Sequence, residues 1–108
     1  MNRKQFFGSW RHAHEEDDAQ RVVFRRAGAS FPPSRGRDAL DLEPDGTAVR
    51  VGIDAGDRPL PQSCRWTLDG DVLVLMDDET ELRRMRVVEV TAERIVFEKR
   101  PGHAVAAR

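Results

Sequence analysis

Apolar side chains in this chain recur at every second position, in short runs that each stop at a cluster of turn-forming residues. Successive residues of a strand point to opposite faces, so a repeat of two places one set of side chains on a single buried face. A helix needs a repeat of roughly 3.6 residues, and beyond one turn at residues 2 to 7 no such repeat persists. Trp10, His12 and His14 share a face of the first run, Val22 and Phe24 of the second, Leu40 and Leu42 of the third. Val49, Val51 and Ile53 mark a fourth, and Cys64, Trp66 and Leu68 a fifth. Residues 72 to 76 (VLVLM) read as a sixth strand buried on both faces. Residues 82 to 90 form a seventh, whose alternation breaks between Met85 and Val88 in the manner of a β-bulge, and residues 95 to 98 form the eighth.

The punctuation between runs includes Glu43-Pro44-Asp45-Gly46, Leu68-Asp69-Gly70-Asp71 and Thr91-Ala92-Glu93-Arg94. Proline presets φ at the second turn position and glycine accepts positive φ, so the first two are hairpin turns. Sequential strands with tight turns give an all-β fold, a short antiparallel up-and-down barrel of about eight strands, because closure removes exposed edges. An open sandwich is the structural alternative. At least seven antiparallel strands are expected between residues 8 and 100, with Trp10, Val49, Val51, Trp66 and Leu68 facing inward. The 108 residues suit one domain, since each half alone would bury too little surface. A short lead (1–7) and a disordered tail (101–108) flank it in this reading.

Lys and Arg number 18 against 19 Asp and Glu. No net cationic field favours nucleic acid or an anionic membrane, and neither is expected as a partner. No apolar run approaches the roughly 20 residues that cross a bilayer. The single cysteine, Cys64, has no internal disulfide partner, and the first residues lack the apolar core of a signal peptide, so a cytoplasmic monomer or homodimer is expected.

Gly8-Ser9-Trp10 at the start of the first strand resembles the Gly-x-Trp motif of lipocalin-like (calycin) barrels, in which the Trp plugs the closed end. Trp66 ahead of Asp69-Gly70-Asp71, and the last strand from Arg94 to Arg100, are similar to small bacterial lipocalin-like domains. His14-Glu15-Glu16-Asp17, Phe31-Pro32-Pro33-Ser34-Arg35-Gly36-Arg37 and Asp57-Arg58-Pro59 resemble short bacterial proteins of this type. The resemblance spans roughly residues 7 to 100 and implies a small-molecule binding barrel. Strands of about seven residues rise roughly 23 Å, less when tilted, so its cavity would be shallow.

Two segments could carry chemistry. If the first strand continues through His14, His12 and His14 both point into the barrel, where an imidazole could move a proton or bind a metal. Otherwise the strand ends near His14 and the acidic run Glu15 to Asp18 is a solvated turn. Glu16, Cys64 or His103 would have to complete a metal site, no spacing rule supports them, and no metal or other cofactor is expected. In the second segment, Pro32 and Pro33 stiffen a loop carrying Arg35 and Arg37, whose guanidinium forks suit a carboxylate or phosphate. Asp38 and Asp41 offer structural pairing instead. A strict meander would place this loop and residues 54 to 61, with Asp57 and Arg58, at the Trp10 end, and His14 at the other.

Cys64 alternates with Trp66 and reads as a buried small side chain rather than a nucleophile. Arg83, Arg84 and Arg86 should pair with acids such as Asp77, Asp78 or Glu98. No phosphate loop, dinucleotide fingerprint or nucleophile elbow occurs. The leading function is therefore a binding protein for a modest polar or anionic small molecule. Its ligand-binding residues would be Trp10, His12, His14, Arg35, Arg37, Arg58 and Trp66. The alternatives are an isomerase, cyclase or lyase using His14 or His12, with Glu16 as a further catalytic candidate and Arg35 or Arg37 on the substrate, and an interaction module with a filled barrel.

Overall fold

Eight strands bury their inner apolar faces by closing on each other. The computed structural model describes residues 2–33, 37–52 and 61–99. Its strands are β1 (Gly8–His12), β2 (Arg21–Arg26), β3 (Ala39–Leu42), β4 (Thr47–Val51), β5 (Gln62–Asp69), β6 (Val72–Asp77), β7 (Thr80–Val90) and β8 (Arg94–Glu98). One 3-10 turn, Arg3–Phe6, precedes β1 and a second, His14–Glu16, follows it. The strands form a closed barrel in which every pair of neighbours is antiparallel, as the alternation and turns predict.

Around the barrel the order is β1-β2-β8-β7-β6-β5-β4-β3. From β3 to β8 this is a meander. The β1–β2 hairpin, however, is set so that β1 lies between β2 and β3, with Trp10 opposite Arg26 on one side and Leu40 on the other. Both flanking strands are antiparallel to β1, so they run the same way and the connection from Ala27 to Asp38 must travel the length of the barrel. It leaves at the Trp10 end and arrives at the His12 end. Val51 and Gln62 also stand at the His12 end, through the pairs Val51–Ala39, Ala39–Arg11 and Gln62–Arg50. The segment from Ala27 to Asp38 is thereby corrected from a loop at the Trp10 end to a crossing; Asp57 and Arg58 lie outside the described residues, and the strand ends that flank them stand at the His12 end. The crossing is held by a small apolar cluster outside the barrel: Val23 and Val96 face outward, and Ala13 and Phe31 pack on them.

The Trp10 end is closed. Phe6 and Trp10 are fully buried, and the Trp10 indole donates to the Phe6 carbonyl (2.9 Å). The Arg26 guanidinium lies 3.8 Å from the Trp10 ring centroid and donates to the Phe7 (2.6 Å) and Ala92 (2.8 Å) carbonyls. Gly8, at φ +120°, sits beneath it, and a β-carbon there would run into Arg26 Nη1. The positive φ favours glycine there, and a side chain would also have to displace the Arg26 guanidinium from Trp10. Above this plug, Phe24, Leu40, Leu42, Trp66, Leu73, Leu75, Ile95 and Phe97 fill the barrel.

β6 is buried on both faces at Leu73, Val74 and Leu75. β7 breaks register between Val87 and Glu89, where a bulge was expected, and β6 and β7 slip again beside Leu75 and Met76. In β4 the inward face differs from the expected one. Leu42 pairs with Ala48 and Leu40 with Arg50, so Ala48 and Arg50 point inward while Val49 and Val51 lie on the outer face, half-buried. Ile53 lies outside the described residues.

Candidate functional site

At the His12 end the interior changes character. His12 closes β1 on its inner face, Arg50 stands near the end of β4, Gln62 opens β5, and Arg83 lies near the start of β7. Register fixes their direction: Arg50 pairs with the fully buried Leu40, and Arg83 with the fully buried Leu75. Arg50 is only 5% exposed, and its Nε donates to Gln62 Oε1 at 2.9 Å. Burying a guanidinium is costly unless it is bonded; both Arg50 and Arg83 have partners, although the buried Arg83 Nε donates no hydrogen bond among the described residues. Cys64 is buried beside them; loss of water pushes its thiol pKa up, the positive charge of Arg50 opposes that, and Asp77 adds to it. Both burial and the upward shift disfavour the thiolate that a nucleophile needs.

A second set of contacts fixes the rim. The His12 ring stacks on Phe24 with centroids 5.1 Å apart, and its Nε2 is 2.8 Å from Asp17 Oδ2. Asp17 is itself anchored, because its Oδ1 accepts the Val23 amide at 2.9 Å. The carboxylate therefore orients the imidazole. β1 ends at His12: Ala13 still donates to the Val23 carbonyl, but its ψ of 71° turns the chain and His14 begins a 3-10 turn. His14 thus does not share an inward face with His12. Its side chain is 47% exposed and meets the His12 ring edge-on.

Arg37 arrives on the crossing segment and acts as a strut. It donates to the His12 carbonyl (2.9 Å), the Pro32 carbonyl (2.7 Å) and both oxygens of Glu15 (2.9 and 2.5 Å), and lies 4.6 Å from the Phe31 ring centroid. Glu16 pairs with Arg25 in a short contact and approaches Arg94 at 3.9 Å. The hydrogen bonds from Arg25 pull the Glu16 carboxyl below its usual range.

Hydrogen bonding from Arg37 holds the Glu15 carboxyl down at about 2, against a usual 4.5. A carboxyl depressed on folding stabilises the fold above its unfolded pKa, and that contribution is lost as the pH falls through the folded value. The stability difference between the parent and an Arg37→Met variant should accordingly stay constant above about pH 5 and shrink toward pH 2. Urea denaturation across that range measures it; a difference that ignores pH would mean that the pair does not form in solution.

The structure thus gathers His12, His14, Glu16 and Arg37 at one end of the barrel. Trp10 and Trp66 belong to the other end, where Trp66 is buried with its indole donating to the Glu43 carbonyl at 2.8 Å. Arg35 and Arg58, like Asp57 and His103, lie outside the described residues. Of the expected arginine pairings, Arg86 reaches Glu98 (3.4 Å) as well as Asp71 (3.1 Å), while Arg84 takes Glu81 (2.9 Å) and Asp69 (3.6 Å). Arg50, Gln62, Arg83 and the orienting role of Asp17 were not anticipated.

Among the described residues, no group of three or more His, Cys, Asp or Glu is placed to hold a metal ion, and no helix is long and apolar enough to cross a membrane. Comparison with protein-family models, with curated proteins and with solved structures gives no match.

Proposed function

We propose that the chain is a lipocalin-like small-molecule binding protein that takes a small organic anion at the His12 end of its barrel. The supporting observation is the inner wall, apolar and filled at the Trp10 end, that gives way to His12, Arg50, Gln62 and Arg83 at the other. In a low-dielectric interior, charge-assisted hydrogen bonds to a carboxylate or phosphate are stronger than in water, and guanidinium forks favour planar or tetrahedral oxyanions. In this reading Arg37 supports His12 rather than touching the ligand, and Trp10 and Trp66 form the floor.

The test is a thermal-shift screen of organic mono- and dicarboxylates, sugar phosphates and nucleotides, each against chloride of equal ionic strength. A ligand that binds only the folded state raises the melting temperature. A hit should lose its shift in Arg83→Met and His12→Gln. Equal shifts in all three proteins, or no hit across the panel, would refute the proposal.

The His12–Asp17 pair favours a second reading, an isomerase, cyclase or lyase in which His12, oriented by Asp17, moves a proton while Arg50 or Arg83 holds the anionic group. Incubating each hit with the protein and following its NMR spectrum decides between the two. Conversion by the parent but not by His12→Gln identifies an enzyme; an unchanged spectrum leaves the binding protein.

A further inference from the structure

We propose that Arg3 and Arg65 form a second binding site, on the outer surface at the closed end of the barrel, for a single oxyanion group of a small soluble ligand. The site does not depend on the reading of the His12 end. Arg3 is set by its 3-10 turn, which Asn2 caps by accepting the Lys4 amide (2.9 Å) while Gln5 accepts the Asn2 amide (2.8 Å). Its guanidinium lies 4.5 Å from the Trp66 ring centroid and donates to the Pro44 carbonyl at 2.9 Å. It is held by two rings, Phe7 and Trp66, and a carbonyl, and among the described residues no carboxylate pairs with it. Arg65 projects outward from β5, between the inward Cys64 and Trp66, and among the described residues it makes no hydrogen bond or ion pair.

The two arginines converge over Gly46, the φ +92° residue of the β3–β4 turn. The Nη2 atoms of both lie 3.8 Å from the position a β-carbon would take on Gly46, so they stand at most twice that distance apart. Two charge-assisted bonds of about 2.8 Å each, plus the width of one carboxylate or phosphate group, cover that gap. They border a cleft of about 280 Å³ whose lining also includes Asp45, Met76 and Asp78. Asp45 spends its Oδ1 on the Thr47 hydroxyl (2.7 Å) and amide (2.9 Å), and these bonds, with the nearby charge of Arg65, hold its carboxyl below the usual range. Two guanidinium groups facing one cleft can both donate to a single oxyanion held between them. Asp45 and Asp78 keep the lining near neutrality, which disfavours polyanions and selects a ligand with one such group.

Phosphate and acetate, titrated separately at constant ionic strength set with chloride, are the probes. The amides of Gly46 and Thr67 and the Nε–H signals of Arg3 and Arg65 give the NMR readout. At least one anion should give saturable shifts of these groups, with a dissociation constant that is the same in the parent and in Arg83→Met. Arg65→Gln should weaken it by tenfold or more, Arg65→Lys should fall between, because it keeps the charge and loses the fork, and Arg83→Met should leave it unchanged. Whether phosphate or acetate saturates first names the ligand chemistry. Non-saturating shifts with both anions, or an affinity that survives Arg65→Gln, would overturn the proposal.

Discussion

Trp10→Ala is expected to lose about 3–5 kcal/mol of folding stability, the range for deleting a large aromatic from a packed core. The residue is fully buried, and three groups depend on it: the Phe6 carbonyl accepts its indole N–H, Arg26 lies across its face, and Leu40 packs opposite it in β3. Truncation opens a cavity at the closed end and leaves the Arg26 guanidinium over empty space. Trp10→Phe separates these effects, since it keeps most of the apolar volume and loses the hydrogen bond; its cost should be about 1–2 kcal/mol plus a small packing change. Urea denaturation of the three proteins measures both. A loss below about 1 kcal/mol for the alanine variant would show that Trp10 does not plug the barrel.

Phe24→Ala is expected to cost a comparable amount, about 3–5 kcal/mol, and to do so at the other end. Phe24 is 4% exposed, meets Phe97 edge-on at 5.7 Å between centroids, and supplies the surface on which His12 stacks. Its removal should therefore loosen the imidazole as well as the core. Phe24→Leu keeps apolar volume without the flat face and should cost distinctly less stability. The His12 ring signals in NMR should move in both variants. If they stay at parent positions in Phe24→Leu, Asp17 alone orients the imidazole and the stacking is incidental.

Strands, hairpin turns and the Trp plug were legible because each is written within a few adjacent residues. Alternation names the faces of β1, β2, β3 and β5 directly, and Gly8 ahead of Trp10 marks a position whose positive φ favours glycine. The inward Arg50 was legible too, but by a different route. Pro44-Asp45-Gly46 makes a three-residue hairpin loop with glycine in the left-handed position, and such a loop fixes the register of the strands it joins. With Leu40 and Leu42 inward, that register sends Ala48 and Arg50 inward whatever the hydrophobicity of Val49 and Val51. Reading β4 by its own apolar residues gave the opposite face, because outward valines are half-covered on this barrel and look like core.

The crossing segment was beyond local reading. Whether β2 is followed in space by β3 or by β8 depends on pairings between residues far apart in the chain, and on Phe31 finding Val23 and Val96. Once β1 sits between β2 and β3, Arg37 is carried to the His12 end. Its strut there, like the Asp17–His12 contact, follows from that topology rather than from either residue's neighbours. The segment that carries Arg37, expected at the end opposite the histidines, therefore reaches them, and the strand ends that flank residues 53–60 stand at that same end.

The placement of β1 between β2 and β3 also sets an order of events for folding. The hairpin of β1 and β2 is made of neighbouring residues and can form early, yet its outer strand pairs with β8, the last strand of the chain. The barrel is thus sealed by joining the second strand to the eighth, a contact that must bear the loop-closure entropy of nearly all the intervening chain. Proteins dominated by such distant pairings fold slowly for their size. Until that seam forms, β2 and β8 each present an open edge, and the same backbone groups that complete one barrel are free to zip onto those of another chain.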